Sequence, residues 1–429
     1  MEKPTSLKPN QSKSYRGYVL LILTGVYTFN FVDRQILVIL QESIKTDLGL
    51  SDTQLGLLTG FAFAIFYVTL GLPIARYADK NNRKNVVAIS LTVWSAMTAI
   101  SGFALNYWHL LLARIGVGVG EAGGSPPAHS IISDYFPPEK RATALSIYSM
   151  GIYIGILFGF LAGGWIDQYY GWRIAFMAIG IPGVLYALVV FFTIKEPKRG
   201  QFDAPKQQTA TTDDLITVTK RLFSYKTFIF LAFACALNAF GSYGVGNFTP
   251  PFLYRVHELD SVTIGTWLSL TTGIGGGLGV FLGGYLADKL GEKDVRWYLW
   301  IPLIAGLIKF IPSTIVIFSE NTQLVLIITF FTNLLTPLYL GPALAVTHNL
   351  VAANSRAFAS AILFFILNLI GLGMGPMVVG ILSDWLTPTY NEFALRWAFT
   401  IIYFTGPISL FLFYKAAQHY PADLARSKG

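Results

Sequence analysis

Charge is what this chain has least of. Charged residues make up 13% of its 429 residues, about half the ~25% of an ordinary soluble domain. That deficit excludes the two or three soluble domains this length would otherwise suggest. Disorder is excluded as well, because disordered chains are poor in aromatics and here 15% of residues are aromatic. Cysteine is nearly missing: Cys235 stands alone, so neither an internal disulfide nor a thiolate metal cluster is expected. The five histidines, His109, His129, His257, His348 and His419, lack the spacing of a metal pair, and no metal site is expected. A nucleophile elbow, an H-E-x-x-H pair and a Walker loop are absent, which argues against an enzyme, a cofactor or an ATP-driven step within the chain. The net charge of +8 does not gather on one soluble face, so no nucleic-acid partner is expected.

Long apolar runs take the place of charge. They fall at residues 18–42, 54–76, 86–105, 108–132, 142–166, 173–194, 227–252, 262–287, 297–318, 322–347, 357–383 and 396–416. Each is long enough to cross a hydrocarbon core of ~30 Å as a helix. The first is too long for a signal peptide and lacks a small-residue cleavage site, so it reads as a retained span. Sorting every Lys and Arg by loop orients the twelve runs. The N-terminus and alternate loops hold 24 bases, whereas the opposite loops hold only Lys45, Arg173, Arg255 and Arg396. By the positive-inside rule both termini face the cytoplasm. A multi-pass protein of the cell inner (plasma) membrane, in contact with the lipid bilayer, is the resulting expectation.

An internal repeat divides the chain. GLPIARYADKNNRK at 71–84 is echoed by GGYLADKLGEKD at 283–294. KRATALSIYSMG…GGWIDQYYGWRIAF at 140–176 is echoed by NSRAFASAILFF…GILSDWLTPTYNEFALRWAF at 354–399. The fold expected is all-α and integral to the membrane. It comprises a cytoplasmic tail (1–17), a six-helix bundle (18–194), a cytoplasmic linker (195–226), a second six-helix bundle (227–416) and a cytoplasmic C-terminal tail (417–429). Duplicated halves around a central cavity suit a transporter, because rocking one half against the other exposes a midplane site to each side in turn.

The residues of the repeat resemble the major facilitator superfamily. In the turn ADKNNRK, Asp79, Lys80, Arg83 and Lys84 fill the charged positions of its loop between helices 2 and 3. Asn82 stands where glycine is usual, while the second copy keeps Gly291. RIGVGVGEAGG at 114–124 is similar to the superfamily's arginine-and-glycine signature in helix 4. FNFVDRQIL at 29–37 and GVGEAGGSPPAHSIISDYFPPEKRATALSIY at 118–148 together resemble the spinster family, in a bacterial-looking version. That resemblance implies transport of lysolipids or sphingosine phosphates. FNFVDRQIL alone also resembles organic-anion and hexuronate symporters, which keeps a proton-linked symporter of organic anions or sugar acids as the alternative.

Four charges inside the runs are singled out by physics as well. A charge at the bilayer centre costs ~2.5–3.5 kcal/mol on insertion scales, so Asp33 and Arg34 need partners or water. Arg114 and Glu121, seven residues apart, share one face of a helix. Asp33, Arg34, Arg114 and Glu121 are therefore expected to meet in the N-terminal half as a proton-coupling centre, with Asp33 the primary acceptor and Glu121 the second acid. Proton and an amphipathic anionic or zwitterionic lipid are the expected partners, with the chain a monomer. The competing account is a pair of static salt bridges.

Other polar residues in the runs are candidates for substrate contact: Arg34 itself, Tyr27, Asn30, Asn238, Tyr243, Asn247, Asn333, Tyr339 and Asn368. Asp79, Arg83 and Arg141 lie at helix ends where ion pairs could close a cytoplasmic gate. Lys309, midway along the ninth run, suits a snorkelling lysine as well as a substrate contact. Gly118, Gly120 and Gly123 satisfy G-x-G-x-x-G but lie inside an apolar helix, which points to helix packing and away from a dinucleotide site.

Overall fold

In a computed structural model of the chain, residues 12–202, 215–352 and 355–428 are described. Twelve helical passes fill them, and every regular element among the described residues is helical. The N-terminal half contains α1 (Lys13–Ile39), α2 (Asp52–Lys80), α3 (Arg83–Ser101), α4 (Tyr107–Glu121 and Ser125–Tyr135), α5 (Pro138–Tyr170) and α6 (Trp172–Thr193). The C-terminal half contains α7 (Lys226–His257), α8 (Ser261–Gly291), α9 (Trp297–Phe318) and α10 (Thr322–Asn349). It is completed by α11 (Arg356–Ile366, Leu367–Met374 and Gly375–Tyr390) and α12 (Ala394–Tyr403 and Thr405–Lys428). Residues 1–11 of the basic tail and 203–214 of the polar linker lie outside the described residues; Leu215–Ser224 of the linker is a short helix.

Several helices extend past the runs read in the sequence, the last as far as Lys428 through the expected C-terminal tail, and two departures have a clear local reason. The first helix starts at Lys13, ahead of residue 18, because Ser12 accepts a hydrogen bond from the Tyr15 amide at 3.2 Å. Tyr15 and Tyr18 then tie this first turn to Thr193 at 2.8 Å each. The run at 108–132 is one stretch in sequence but two helices in space. Helix α4 stops at Glu121, where the Gly123 and Gly124 amides turn back to Gly120 and Glu121, and restarts at Ser125 with Pro126 and Pro127 in its first turn. Glu121 therefore sits at a break inside the membrane, a place where transporters build binding sites.

Small residues let the helices approach. Gly151, Gly155, Gly159 and Gly163 form one stripe on α5, and α1 lies along it. A methyl group at Gly155 would come within 2.5 Å of the Thr28 carbonyl oxygen, and one at Gly163 within 2.6 Å of Ile39 Cγ2. Gly118 and Gly120 do the same on α4, against the Phe63 carbonyl at 2.7 Å and the Trp94 amide at 2.6 Å. The G-x-G-x-x-G is thus a packing surface, as apolar bundles use it.

Three helices contain a π turn: Leu57–Phe61 in α2, Ser269–Gly275 in α8 and Leu367–Met374 in α11. All three helices line the seam between the halves. There, backbones nearly touch, a methyl at Gly60 falling 2.7 Å from the Gly373 oxygen and one at Gly265 falling 2.5 Å from the Phe160 oxygen. π turns break the regular ladder and gather at functional segments.

Gly155→Val is expected to force α1 off α5 and to cost about 1–3 kcal/mol, the usual range for overpacking. Thermal unfolding in detergent should show a lower Tm. Gly17→Ala, which has no neighbour within 4 Å, should leave Tm unchanged, and equal Tm values for the two variants would contradict this packing.

Candidate functional site

Helices α1, α2 and α4 bring the four intramembrane charges together. Asp33, Arg114 and Glu121 are buried, at 0%, 2% and 1% exposure. Arg34 Nε donates to Glu121 Oε2 at 2.7 Å, an ion pair between α1 and the end of the first piece of α4. The guanidinium also lies against three rings, 5.0 Å from the centroid of Phe31, 4.8 Å from Phe63 and 4.9 Å from Tyr67. Cation–π contacts of this kind strengthen when they are desolvated.

The other two charges are arranged differently. Arg114 Nη1 donates to the backbone oxygen of Asp33 at 3.4 Å, so it reaches the residue but bypasses its carboxylate. Neither Asp33 carboxylate oxygen has a hydrogen-bond partner among the described residues, although the Ser95 and Thr98 hydroxyls of α3 lie beside it. Glu121 Oε1, Arg114 Nε and Asn30 Oδ1 are also buried without a partner among the described residues. These atoms gather around the Arg34–Glu121 pair.

Around the ion pair, Tyr27 stacks on Tyr148 with centroids 4.5 Å apart and an interplanar angle of 5°. Tyr27 and Tyr243 both neighbour Arg34 and Tyr67, and Asn30 lies beside Glu121. Tyr339 neighbours Tyr243 and Tyr153. Tyr27, Asn30 and Tyr243 thus join the charges, and Tyr339 lies one residue further out. Asn368 lies half-buried in the π turn of α11. Asn238 and Asn333 line a separate cavity in the C-terminal half, together with Lys309.

Asn247 belongs elsewhere. Its side-chain amide donates to the Thr59 oxygen at 3.5 Å, and its own carbonyl accepts from Gln41 at 2.5 Å, at the end of the molecule away from the termini. A polar latch spans the halves there. Arg255 of α7 donates Nε to Glu42 at 2.7 Å and grips Asp52 with Nη1 and Nη2 at 2.7 and 2.8 Å. Lys45 and the Ser383 hydroxyl each donate to Asp52 at 2.6 Å. Asp384 in turn accepts from the Asp52 and Thr53 amides at 2.9 and 2.8 Å, where a carboxylate complements the start of α2. Asp167 accepts from Ser43 and Ser261 at 2.7 and 2.8 Å, closing a second point of the seam.

At the other end, Arg83 is buried and donates to Asp134, Glu196 and Ser130, all in or next to the N-terminal half. Arg141 Nε donates to the Ser133 and Phe136 oxygens of the same half. Asp79 lies at the last turn of α2, exposed. Gly71 on α2 and Gly284 on α8 have open space beside them. The halves are latched at the end away from the termini.

Residues 23–316 match the Major Facilitator Superfamily. The chain belongs to this superfamily. Within it, the chain is 34% identical to an MFS-type efflux pump of Mycolicibacterium smegmatis, over 89% of this chain and 87% of that one. It is 26% identical both to the Sphingosine-1-phosphate transporter SPNS2 of Danio rerio, over 86% of this chain and 77% of that one, and to the Hexuronate transporter of Bacillus subtilis, over 85% and 87%. Among solved structures, a bacterial homologue of the human lysosomal transporter spinster, inward-facing and unoccupied, superposes with a TM-score of 0.89 at 31% identity, over 96% of this chain and 99% of that one. The resemblance to spinster proteins read from helices 1 and 4 is thus matched over nearly the whole facilitator fold.

Sequence reasoning missed two groups in this facilitator. The cage of Phe63 and Tyr67 has a signal, an aromatic pair four residues apart on α2, but apolar helices carry many such pairs. Arg255 was visible as one of four bases on the sparsely charged side, with no sign of its partners Glu42 and Asp52. Arg255→Met is expected to unlatch that end, since breaking a buried pair costs about 3–5 kcal/mol. Thiol labelling of Thr59→Cys, beneath the latch, should accelerate about tenfold or more in the Arg255→Met background. Equal labelling rates would show that Arg255 does not hold the seam.

Proposed function

We propose that this facilitator is a proton-coupled secondary transporter that moves single-chain amphipathic lipids, of lysophospholipid or sphingoid type, by alternating access. The observation that carries the proposal is the Arg34–Glu121 ion pair inside its aromatic cage, with Asp33, which has no ion pair among the described residues, one residue away. Arginine stays charged and binds carboxylate or phosphate through two parallel bonds. A lipid headgroup arriving at Arg34 competes with Glu121 for the same donors. Glu121, released from its partner in an apolar surrounding, takes up a proton rather than stay ionised and alone.

Asp33 supplies the second half of the coupling. Its carboxylate lies beside the Ser95 and Thr98 hydroxyls with no ion pair among the described residues, so a proton is what can compensate its charge. When the halves rock and water reaches it, Asp33 can release that proton beside Arg114, which already holds its backbone oxygen. Protein and substrate thus share a fixed number of partners, and proton movement follows substrate movement. The rings of Phe31, Phe63, Tyr67, Tyr27 and Tyr243 flank the headgroup position and give the adjoining alkyl chain apolar contact.

We read both termini as cytoplasmic in a plasma membrane, a reading supported by the bias of bases among the loops; on it the latched end faces outward and this state opens inward. Asp79 then stands exposed at the inner mouth, where it could pair across it on closing, while Arg83 and Arg141 brace the N-terminal half beside it. The alternative is a proton-linked symporter of organic anions or sugar acids, favoured by the same Arg34 and by the equal identity to the hexuronate transporter.

The test is uptake into proteoliposomes under an imposed pH gradient, with lysolipids, sphingoid phosphates and sugar acids side by side. Lysolipid or sphingoid phosphate uptake driven by the gradient is expected, with Asp33→Asn and Glu121→Gln removing its dependence on pH. Arg34→Lys should weaken substrate affinity by about 10- to 100-fold, the worth of a charge-assisted bidentate contact. Uptake of sugar acids alone would favour the alternative, and pH-driven transport intact in both acid variants would end the coupling role.

A further inference from the structure

A cavity of about 170 Å³ lies wholly within the C-terminal half, walled by α7, α9, α10 and α12. It shares no lining residue with the Arg34 site. Glycines make the room: Gly246 and Gly406 line it, and a methyl group on either would meet nothing within 4 Å. Phe252, Phe399 and Ile317 give it apolar walls.

Lys309 of α9 is the charge in this cavity, and no carboxylate lines it. The Lys309 ammonium makes no hydrogen bond and no ion pair among the described residues; only its backbone oxygen is engaged, by the Tyr403 hydroxyl at 3.2 Å. The lining hydroxyls are largely spent on their own helices, Thr329 on the Val325 oxygen at 2.7 Å and Thr336 on the Thr332 oxygen at 2.6 Å. Asn333 Nδ2 is committed to the Thr272 hydroxyl at 2.9 Å. Asn238 differs, because its Oδ1 accepts from the Ser242 hydroxyl at 3.3 Å while its amide hydrogens have no acceptor among the described residues, and the residue lines the cavity.

Snorkelling does not account for Lys309. It lies twelve residues from the start of α9 at Trp297 and nine from its end at Phe318, about 18 and 14 Å along the axis. An uncompensated ammonium inside a membrane protein marks a ligand or ion path by default. One cation and one amide donor in a cavity with apolar walls match an anionic group joined to an alkyl chain. We propose that this cavity binds the carboxylate or phosphate monoester of a single-chain amphiphile through Lys309 and Asn238, as a second site apart from Arg34. The site does not depend on the proton-coupling reading above.

The test uses the intact protein and two photoreactive probes, dodecanoate and dodecyl phosphate carrying a diazirine, with adducts mapped by mass spectrometry. Both are expected to label α7, α9 or α12 at the cavity, and their ratio tells a fatty-acid site from a phosphate-ester site. Lys309→Met should lower this labelling about tenfold or more, the loss of one charge-assisted contact. Gly406→Leu, which keeps the lysine but fills the slot, should do the same. Arg34→Lys should leave labelling at the cavity unchanged. Labelling of the cavity that persists in both Lys309→Met and Gly406→Leu, equal labelling by the corresponding dodecylamine probe, or adducts confined to the N-terminal half would each overturn the proposal.

Discussion

A guanidinium that cannot lose its charge, set inside a helix that crosses hydrocarbon, is the constraint on which this structure turns. Arg34 has to be compensated, and the N-terminal half is arranged to do so. Glu121 is delivered to it by the break in α4, and the rings of Phe31, Phe63 and Tyr67 close around its faces. The glycine stripe on α5 holds α1 close enough for these partners to stay in register. Asp33, on the same turn of α1, has the Ser95 and Thr98 hydroxyls beside its carboxylate and no ion pair among the described residues.

The two ends of the molecule are built on different chemistry. Away from the termini, Arg255, Glu42, Asp52, Lys45 and Asp384 form a network in which each charge has a partner from the other half or its own. Near the termini, the ion pairs of Arg83 brace α3 against Asp134 and Glu196 without crossing to the other half. A rigid half that can swing needs braces of the second kind, and a closed end needs a latch of the first. The π turns in α2, α8 and α11 lie along the seam that would flex between these states.

Much of the fold was legible because a membrane imposes coarse rules. Twelve apolar runs, the duplicated ADK turn and the sorting of bases gave the twelve passes and the two halves. The intramembrane charges were legible for the same reason, since a charge in such a run needs an explanation. Pairing was harder. Arg114 and Glu121 do share a helix face, yet Arg114 chooses the Asp33 carbonyl, a backbone group that side-chain reasoning overlooks. Asn238, Asn247 and Asn333 look alike in sequence, but one faces a cavity, one seals the seam and one ties α10 to Thr272. The rotation of each helix about its axis decides among these roles, and that rotation is fixed by packing across many helices.

The proposed coupling requires Asp33 to hold a proton in this latched state and to lose it as the cycle proceeds. Infrared difference spectroscopy on the reconstituted protein reads this directly, through the carbonyl stretch of a protonated carboxyl. The account predicts such a band before lysolipid is added, its loss as the cycle turns over, and its absence in Asp33→Asn. A band from Asp33 missing in every state, or one unchanged by substrate, would contradict it.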